Sequence, residues 1–128
     1  MIAFIFPGQG SQKAGMGESA CAAFPAGNEI FERANAALGY DLRGLCFEGP
    51  EEKLTNTLYA QPALLTVGVI GHAWAVSKGL RADMAAGHSL GEYAALVAAG
   101  ALEFEDALKL VQRRAELMSQ AHSGAAPA

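Results

Sequence analysis

The chain has 128 residues, a length that suits one domain with a single core. Its hydrophobic residues make up 52% of the total without glycine, whereas ordinary globular chains reach roughly 45–50% with glycine included. The formal net charge of -4, with scattered lysines and arginines, provides no basic stripe for phosphates and argues against a nucleic-acid binder.

The first residues, the longest apolar stretch and the two cysteines indicate a soluble protein with reduced thiols. The opening residues M-I-A-F-I-F-P have no basic segment and too short an apolar run for a secretory signal. The longest apolar stretch, 62–76, is shorter than the ~20 residues that span a bilayer. Cys21 and Cys46 lack metal-ligand spacing and are interpreted as free thiols. We expect a cytoplasmic protein with no membrane partner, no metal site and no dinucleotide site.

Apolar periodicity and turn residues predict a series of strands and helices. In chain order they are a strand at 2–6, a loop at 8–12, a helix at 28–38, a turn at 49–52 leading into a short helix, a helix at 62–77, a strand at 83–87, and helices at 90–99 and 104–121. Pro62 is assigned to the first helical position, which proline favours. Strands alternating with helices predict an α/β fold with a parallel sheet.

A nucleophile motif follows the second predicted strand. Gly87-His88-Ser89-Leu90-Gly91 matches G-x-S-x-G, with a strand before it and a helix after it. We predict that Ser89 is a nucleophile and that the backbone N–H of Leu90 is an oxyanion donor. The motif alone is often only a turn, and that alternative stays open. His88 either shapes the pocket or is a satisfied structural histidine.

The helix at 104–121 carries an arginine within its apolar face. Six residues form one apolar arc: Ala107, Leu110, Val111, Leu117, Met118 and Ala121. Arg114 falls in the middle of this arc, whereas Arg113 falls on the opposite, polar side. A buried guanidinium requires an anion, and its planar fork matches a carboxylate. The partner is either a substrate carboxylate or a structural Asp or Glu, unless the stem extends to the edge of the core.

Four sequence blocks resemble those of one enzyme family. They are F-P-G-Q-G-S-Q at 6–12, G-Y-D-L at 39–42, Q-P-A-L-L at 61–65 and G-H-S-L-G-E-Y at 87–93. Their order and spacing are similar to those of malonyl-CoA:acyl-carrier-protein transacylases of the freestanding bacterial type. The resemblance runs from Met1 to about Ala121. It implies an α/β-hydrolase-like core into which a ferredoxin-like subdomain is inserted.

The resemblance also implies an activity. Members of the family move malonyl from coenzyme A to a serine, and then to the phosphopantetheine thiol of acyl carrier protein, in fatty-acid biosynthesis. By motif, Ser89 is the nucleophile and the backbone N–H groups of Gln9 and Leu90 form the oxyanion hole. Gln61 and His88 line the substrate pocket, and Arg114 pairs with the malonyl carboxylate. Coenzyme A thioester is a substrate, and no tightly bound cofactor is expected.

The resemblance covers only part of a family member. Its members are more than twice this long, and their catalytic histidine lies in the part beyond the match. We therefore expect residues 1–121 to be the N-terminal part of the core, truncated near the start of the subdomain, and 122–128 to be a junction or disordered tail. The missing C-terminal half is expected as a partner, as a second chain or a continuation. Two rivals stay open: a serine thioesterase or esterase on the same elbow, and a catalytically silent fragment.

Overall fold

Two short parallel strands, with helices packed on them, make up the fold in residues 1–124. This is the part of the chain that the computed structural model describes, with side chains described through residue 121. The strands are β1 (Ala3–Phe6) and β2 (Met84–Gly87). The helices are α1 (Glu18–Ala23), α2 (Gly27–Leu38), α3 (Leu42–Glu48), α4 (Glu51–Thr55), α5 (Thr57–Ser77), α6 (Gly91–Ala98) and α7 (Phe104–Gly124).

The two strands pair in parallel, as the sequence predicts. Ala3 lies opposite Met84, and Phe6 lies opposite Gly87. The backbone N–H of His88 donates to the carbonyl of Phe6 at 3.1 Å, so the pairing continues to the end of both strands. Because the strands are parallel, their carboxyl ends meet at one edge of the sheet. The loop after β1 and the turn after β2 therefore start side by side.

The central helix is α5, and it begins earlier than predicted. Asn56 caps it, since its side chain accepts a hydrogen bond from the backbone N–H of Leu58 at 2.9 Å. Pro62 therefore lies inside the helix, and its assignment to the first helical position is wrong. The lack of an N–H on Pro62 removes one backbone hydrogen bond. The capping asparagine and the apolar contacts of α5 with its neighbours offset that loss.

The remaining predicted helices are present, with small shifts at their ends. Gly39 ends α2 with a φ of 85°, in the left-handed region that glycine tolerates. The sequence did not predict α1 or α3. Helix α7 continues to Gly124, beyond the predicted boundary at residue 121. The division between core and tail stays a prediction, and residues 125–128 lie outside the described part of the chain.

The apolar arc of α7 is only partly covered. Ala107, Val111 and Ala115 are fully buried against α5 and α2. By contrast, Leu110 is 49% exposed and Leu117 is 47% exposed. Ala115 lies outside the predicted arc, as does the fully buried Leu108, whereas Met118 within the arc is 43% exposed. The buried face of α7 is therefore displaced from the predicted arc. Arg114 is partly buried at the edge of that face and not at its centre, where it was predicted.

Close backbone packing connects the two strands to α6. A Cβ atom on Gly91 would overlap the carbonyl oxygen of Phe6, and one on Gly87 would overlap the backbone of Gly91. These two positions accept only glycine unless the backbone shifts. The contact holds the start of α6 directly against the end of β1.

We expect Gly91→Ala to lower the free energy of unfolding by about 2 kcal/mol or more, because the added methyl group overlaps backbone atoms that cannot rotate away. The matched control is Gly71→Ala in α5, where a Cβ atom would meet nothing within 4 Å. That change should stabilise the helix by roughly 0.5–1 kcal/mol. Urea unfolding of both variants and the parent, in the same state of association, measures the difference. Equal stability of parent and Gly91→Ala would contradict the proposed packing.

Candidate functional site

Ser89 lies on a tight turn between β2 and α6. Its φ is 54°, and no other non-glycine residue among those described has a positive φ. The turn is closed by two hydrogen bonds, from Gly91 N to the carbonyl of His88 at 2.9 Å and from Glu92 N to the carbonyl of Ser89 at 3.0 Å. The left-handed conformation costs a serine roughly 1–2 kcal/mol. The turn presents Ser89 on the exposed edge of the sheet, at the start of a helix.

The loop after β1 packs against this turn. A Cβ atom on Gly8 would lie 2.6 Å from the carbonyl oxygen of His88 and 2.9 Å from its Nδ1. The His88 ring therefore lies over the backbone of Gly8. Within residues 1–124, the backbone N–H groups of Gln9 and Leu90 donate no hydrogen bond. Both donors are thus available to a bound group.

Arg114 reaches Ser89 from α7. Its Nη1 donates to Gln61 Oε1 at 2.7 Å, and its Nη2 donates to Ser89 Oγ at 3.0 Å. The guanidinium carbon also lies 5.7 Å from the centre of the Tyr93 ring. The neighbouring Arg113 has a side chain that is 62% exposed and lies 3.7 Å from Glu116 on the same helix. The two arginines therefore occupy the different environments that the helical pattern predicts.

A buried glutamine holds Arg114 in place. Gln61 is fully buried, and its Nε2 donates to Thr57 Oγ1 at 2.7 Å and to Met118 Sδ at 3.3 Å. Thr57 Oγ1 in turn donates to Gln9 Oε1 at 2.9 Å. We call the side chains of Ser89, Arg114, Gln61, Thr57 and Gln9 the site chain. Sequence reasoning identified four of its members and missed Thr57, whose only signal is its position one helical turn before Gln61.

The described residues hold no evident base for Ser89. The Ser89 hydroxyl is hydrogen-bonded to Arg114, and no histidine with a described side chain bonds to it. His72 packs edge-on against Phe4, with ring centres 5.3 Å apart, and burial lowers its pKa. A rival nucleophile is also not evident, because burial raises the pKa of the Cys46 thiol to about 12. A thiol with that pKa is not an effective nucleophile near neutral pH.

Comparison with known proteins places this site in a family. A model of the acyl transferase domain family matches residues 3–128. The chain belongs to the acyl transferase domain family. Malonyl CoA-acyl carrier protein transacylase of Escherichia coli K12 is 50% identical over 121 residues, which cover 94% of this chain and 39% of that protein. The enzyme of the same name from Bacillus subtilis is 48% identical over 94% of this chain and 30% of that protein.

Solved structures of acyl transferases share the fold. An acyl carrier protein S-malonyltransferase from Vibrio cholerae superimposes with a TM-score of 0.90 at 45% identity, over 94% of this chain and 40% of that chain. A malonyl-transacylase in complex with a type II polyketide synthase acyl-carrier protein has a TM-score of 0.90 at 46% identity, over 94% of this chain and 39% of that chain. The predicted α/β fold and the resemblance to the transacylases are confirmed. The chain spans about two fifths of the length of most of these relatives.

Two further observations on the described part of this acyl transferase concern a metal site and a membrane-spanning helix. Among its described side chains, no group of three or more His, Cys, Asp or Glu residues could hold a metal ion. No helix in residues 1–124 is long and apolar enough to cross a membrane.

The positive φ of Ser89 can be tested without measuring any activity. Ser89→Gly and Ser89→Ala both remove the hydroxyl, but only glycine tolerates a φ of 54° without strain. We expect Ser89→Gly to exceed Ser89→Ala in free energy of unfolding by about 1 kcal/mol. Chemical unfolding of the two variants measures this difference. If Ser89→Ala is the more stable, the turn is not strained at this position.

Proposed function

We propose that these residues form the nucleophile half of a malonyl-CoA:acyl-carrier-protein transacylase that supplies fatty-acid biosynthesis. The complete domain means residues 1–128 together with the remainder that its relatives possess. The substrates are malonyl-CoA and the phosphopantetheine thiol of acyl carrier protein. Support comes from relatives that are transacylases by name and from a malonyl-transacylase solved with its acyl-carrier protein.

One observation carries the choice of malonyl. The guanidinium of Arg114 lies 3.0 Å from the hydroxyl of Ser89, so an acyl group on Ser89 is within reach of a fixed cation. A guanidinium binds a carboxylate through two parallel hydrogen bonds. An acetyl group offers no such partner. The hydrogen bond to Gln61 keeps the cation in this position before the substrate arrives.

We assign the first half-reaction to Ser89. Its Oγ attacks the thioester carbon of malonyl-CoA while its proton passes to a general base. The resulting oxyanion accepts hydrogen bonds from the backbone N–H groups of Gln9 and Leu90. Collapse breaks the carbon–sulfur bond, and the coenzyme A thiolate takes the proton from the base. The product is a malonyl ester on Ser89.

The second half-reaction reverses these steps with a different thiol. The phosphopantetheine thiol gives its proton to the base and attacks the ester, and the carbon–Oγ bond breaks. Ser89 regains a proton, and malonyl is now a thioester of acyl carrier protein. A serine hydroxyl is a weak nucleophile without an adjacent base. We assign that base to a histidine of the remainder, because no described histidine bonds to Ser89.

The test compares acyl groups in the complete domain. Arg114→Ala should lower kcat/KM for malonyl transfer by about 30-fold or more, since losing one partner of a hydrogen-bonded charge pair costs roughly 2–5 kcal/mol. Transfer of acetyl should change much less. Arg113→Ala is the matched control and should alter neither rate, because its side chain is mostly exposed. Mass spectrometry of acyl carrier protein measures both transfers.

Three results would contradict the proposal. Free malonate as the main product would favour a serine thioesterase or esterase on the same turn. Equal loss of malonyl and acetyl transfer in Arg114→Ala would mean that Arg114 is structural. A stoichiometric malonyl adduct on residues 1–128 alone would mean that the base lies within this chain.

A further inference from the structure

Thr57 is the member of the site chain that has no assigned role. It is the first residue of α5, and its side chain is partly buried. Its hydroxyl lies between two glutamines that come from different elements. Gln61 is one turn later on the same helix, and Gln9 belongs to the loop after β1.

The hydrogen-bond directions along the site chain are determined by chemistry. Arg114 can only donate, so the atom of Gln61 facing it is the carbonyl oxygen. The amide nitrogen of Gln61 must then donate to Thr57 Oγ1, at 2.7 Å. The single proton of the Thr57 hydroxyl is thereby directed to Gln9 Oε1, at 2.9 Å. Each bond runs in the same direction, from the cation on α7 to the loop.

The bond between Thr57 and Gln9 connects the start of helix α5 to the loop after β1. Gln9 lies in a glycine-containing loop and is exposed, and loops of this kind have many backbone conformations. The loop gains one fixed point where the Gln9 side chain accepts from Thr57. Gly8 also packs against His88, and the backbone N–H of Gly10 donates to Gln12 Oε1 at 2.7 Å. Together these contacts orient the backbone N–H of Gln9, which makes no hydrogen bond in residues 1–124.

We propose that Thr57 is a positioning residue that holds the Gln9 backbone N–H where the oxyanion forms. This inference rests on the proposed transacylase function. Thr57 touches no substrate, and it acts through the side chain of Gln9. Because an oxyanion forms with every thioester, the effect of Thr57 is independent of the acyl group. In this respect Thr57 differs from Arg114, whose effect depends on a carboxylate.

The test uses Thr57→Val in the complete domain, since valine keeps the shape and removes the hydroxyl. We expect kcat to fall by about 10-fold for malonyl and acetyl transfer alike, because a displaced oxyanion donor weakens transition-state binding. KM should stay within about twofold, because Gln61 still has its partners Met118 and Arg114 when the Thr57 hydroxyl is removed. Thr57→Ser keeps the hydroxyl and should restore kcat to near the parent value.

A second variant addresses the other end of the same bond. Gln9→Met keeps the backbone N–H and the side-chain length but removes the acceptor, and should lower kcat by the same factor. Combined with Thr57→Val it should cause no further loss, because Thr57→Val has already broken the only bond that Gln9→Met removes. Thr57→Val also removes the acceptor of one Gln61 bond, and Gln61 Nε2 then keeps its bond to Met118. If Thr57→Val does not fold, Gln9→Met alone decides the question.

The outcomes distinguish a failure of the proposed transacylase function from a failure of the proposed role of Thr57. A parent domain that transfers no malonyl refutes the proposed function. A parent that transfers malonyl while Thr57→Val and Gln9→Met keep full kcat refutes the role of Thr57 and leaves the function intact. A loss restricted to malonyl, or a rise in KM with unchanged kcat, would also overturn the proposal. Such a result would mean that Thr57 acts through Arg114 on substrate binding.

Discussion

The site depends on one buried side chain, the amide of Gln61. It is fully buried in a largely apolar core formed by α5 and its neighbours. Each of its polar atoms is satisfied, by Arg114 on one side and by Thr57 and Met118 on the other. An unsatisfied buried polar group would cost roughly 1–3 kcal/mol. The amide therefore requires Arg114 to point inward, and this orientation brings a guanidinium to the hydroxyl of Ser89.

Close backbone contacts determine where that hydroxyl lies. Gly91 packs against the carbonyl of Phe6, and Gly8 packs against His88. The carboxyl ends of β1 and β2 are therefore held together with almost no side-chain volume between them. Two backbone donors, at Gln9 in the loop after β1 and at Leu90 directly after Ser89, then belong to the segments that meet at this edge. The close packing at Gly8 and Gly91 and the hydrogen bond from Arg114 to Ser89 thus both occur at the carboxyl ends of β1 and β2.

The sequence predicts the parts of this site that rest on periodicity or on a motif. The strand before Ser89 and the helix after it follow from apolar runs. The helical pattern of α7 separates Arg114 from Arg113, but Arg114 is partly buried at the edge of the buried face and not at its centre. Pro62 was misplaced because the preference of proline for a first turn competed with a stronger cap at Asn56. Thr57 belongs to no sequence motif. Its hydroxyl bonds to Gln9, which lies 48 residues earlier in the sequence, and local sequence patterns do not predict so distant a contact. The exposed strip at Leu110 and Leu117 was also unforeseen, since periodicity describes a face but not what covers it.

The central claim is that Ser89 carries a malonyl group whose carboxylate binds Arg114. The most direct measurement is a crystal structure of the complete domain trapped with malonyl-CoA. The account predicts electron density for a malonyl ester on Ser89 Oγ, with its carboxylate within about 3 Å of the guanidinium nitrogens. Gln61 should still accept from Arg114, at a distance close to the present 2.7 Å. An acyl group on another residue, or a malonyl carboxylate that faces solvent or another cation, would contradict the account.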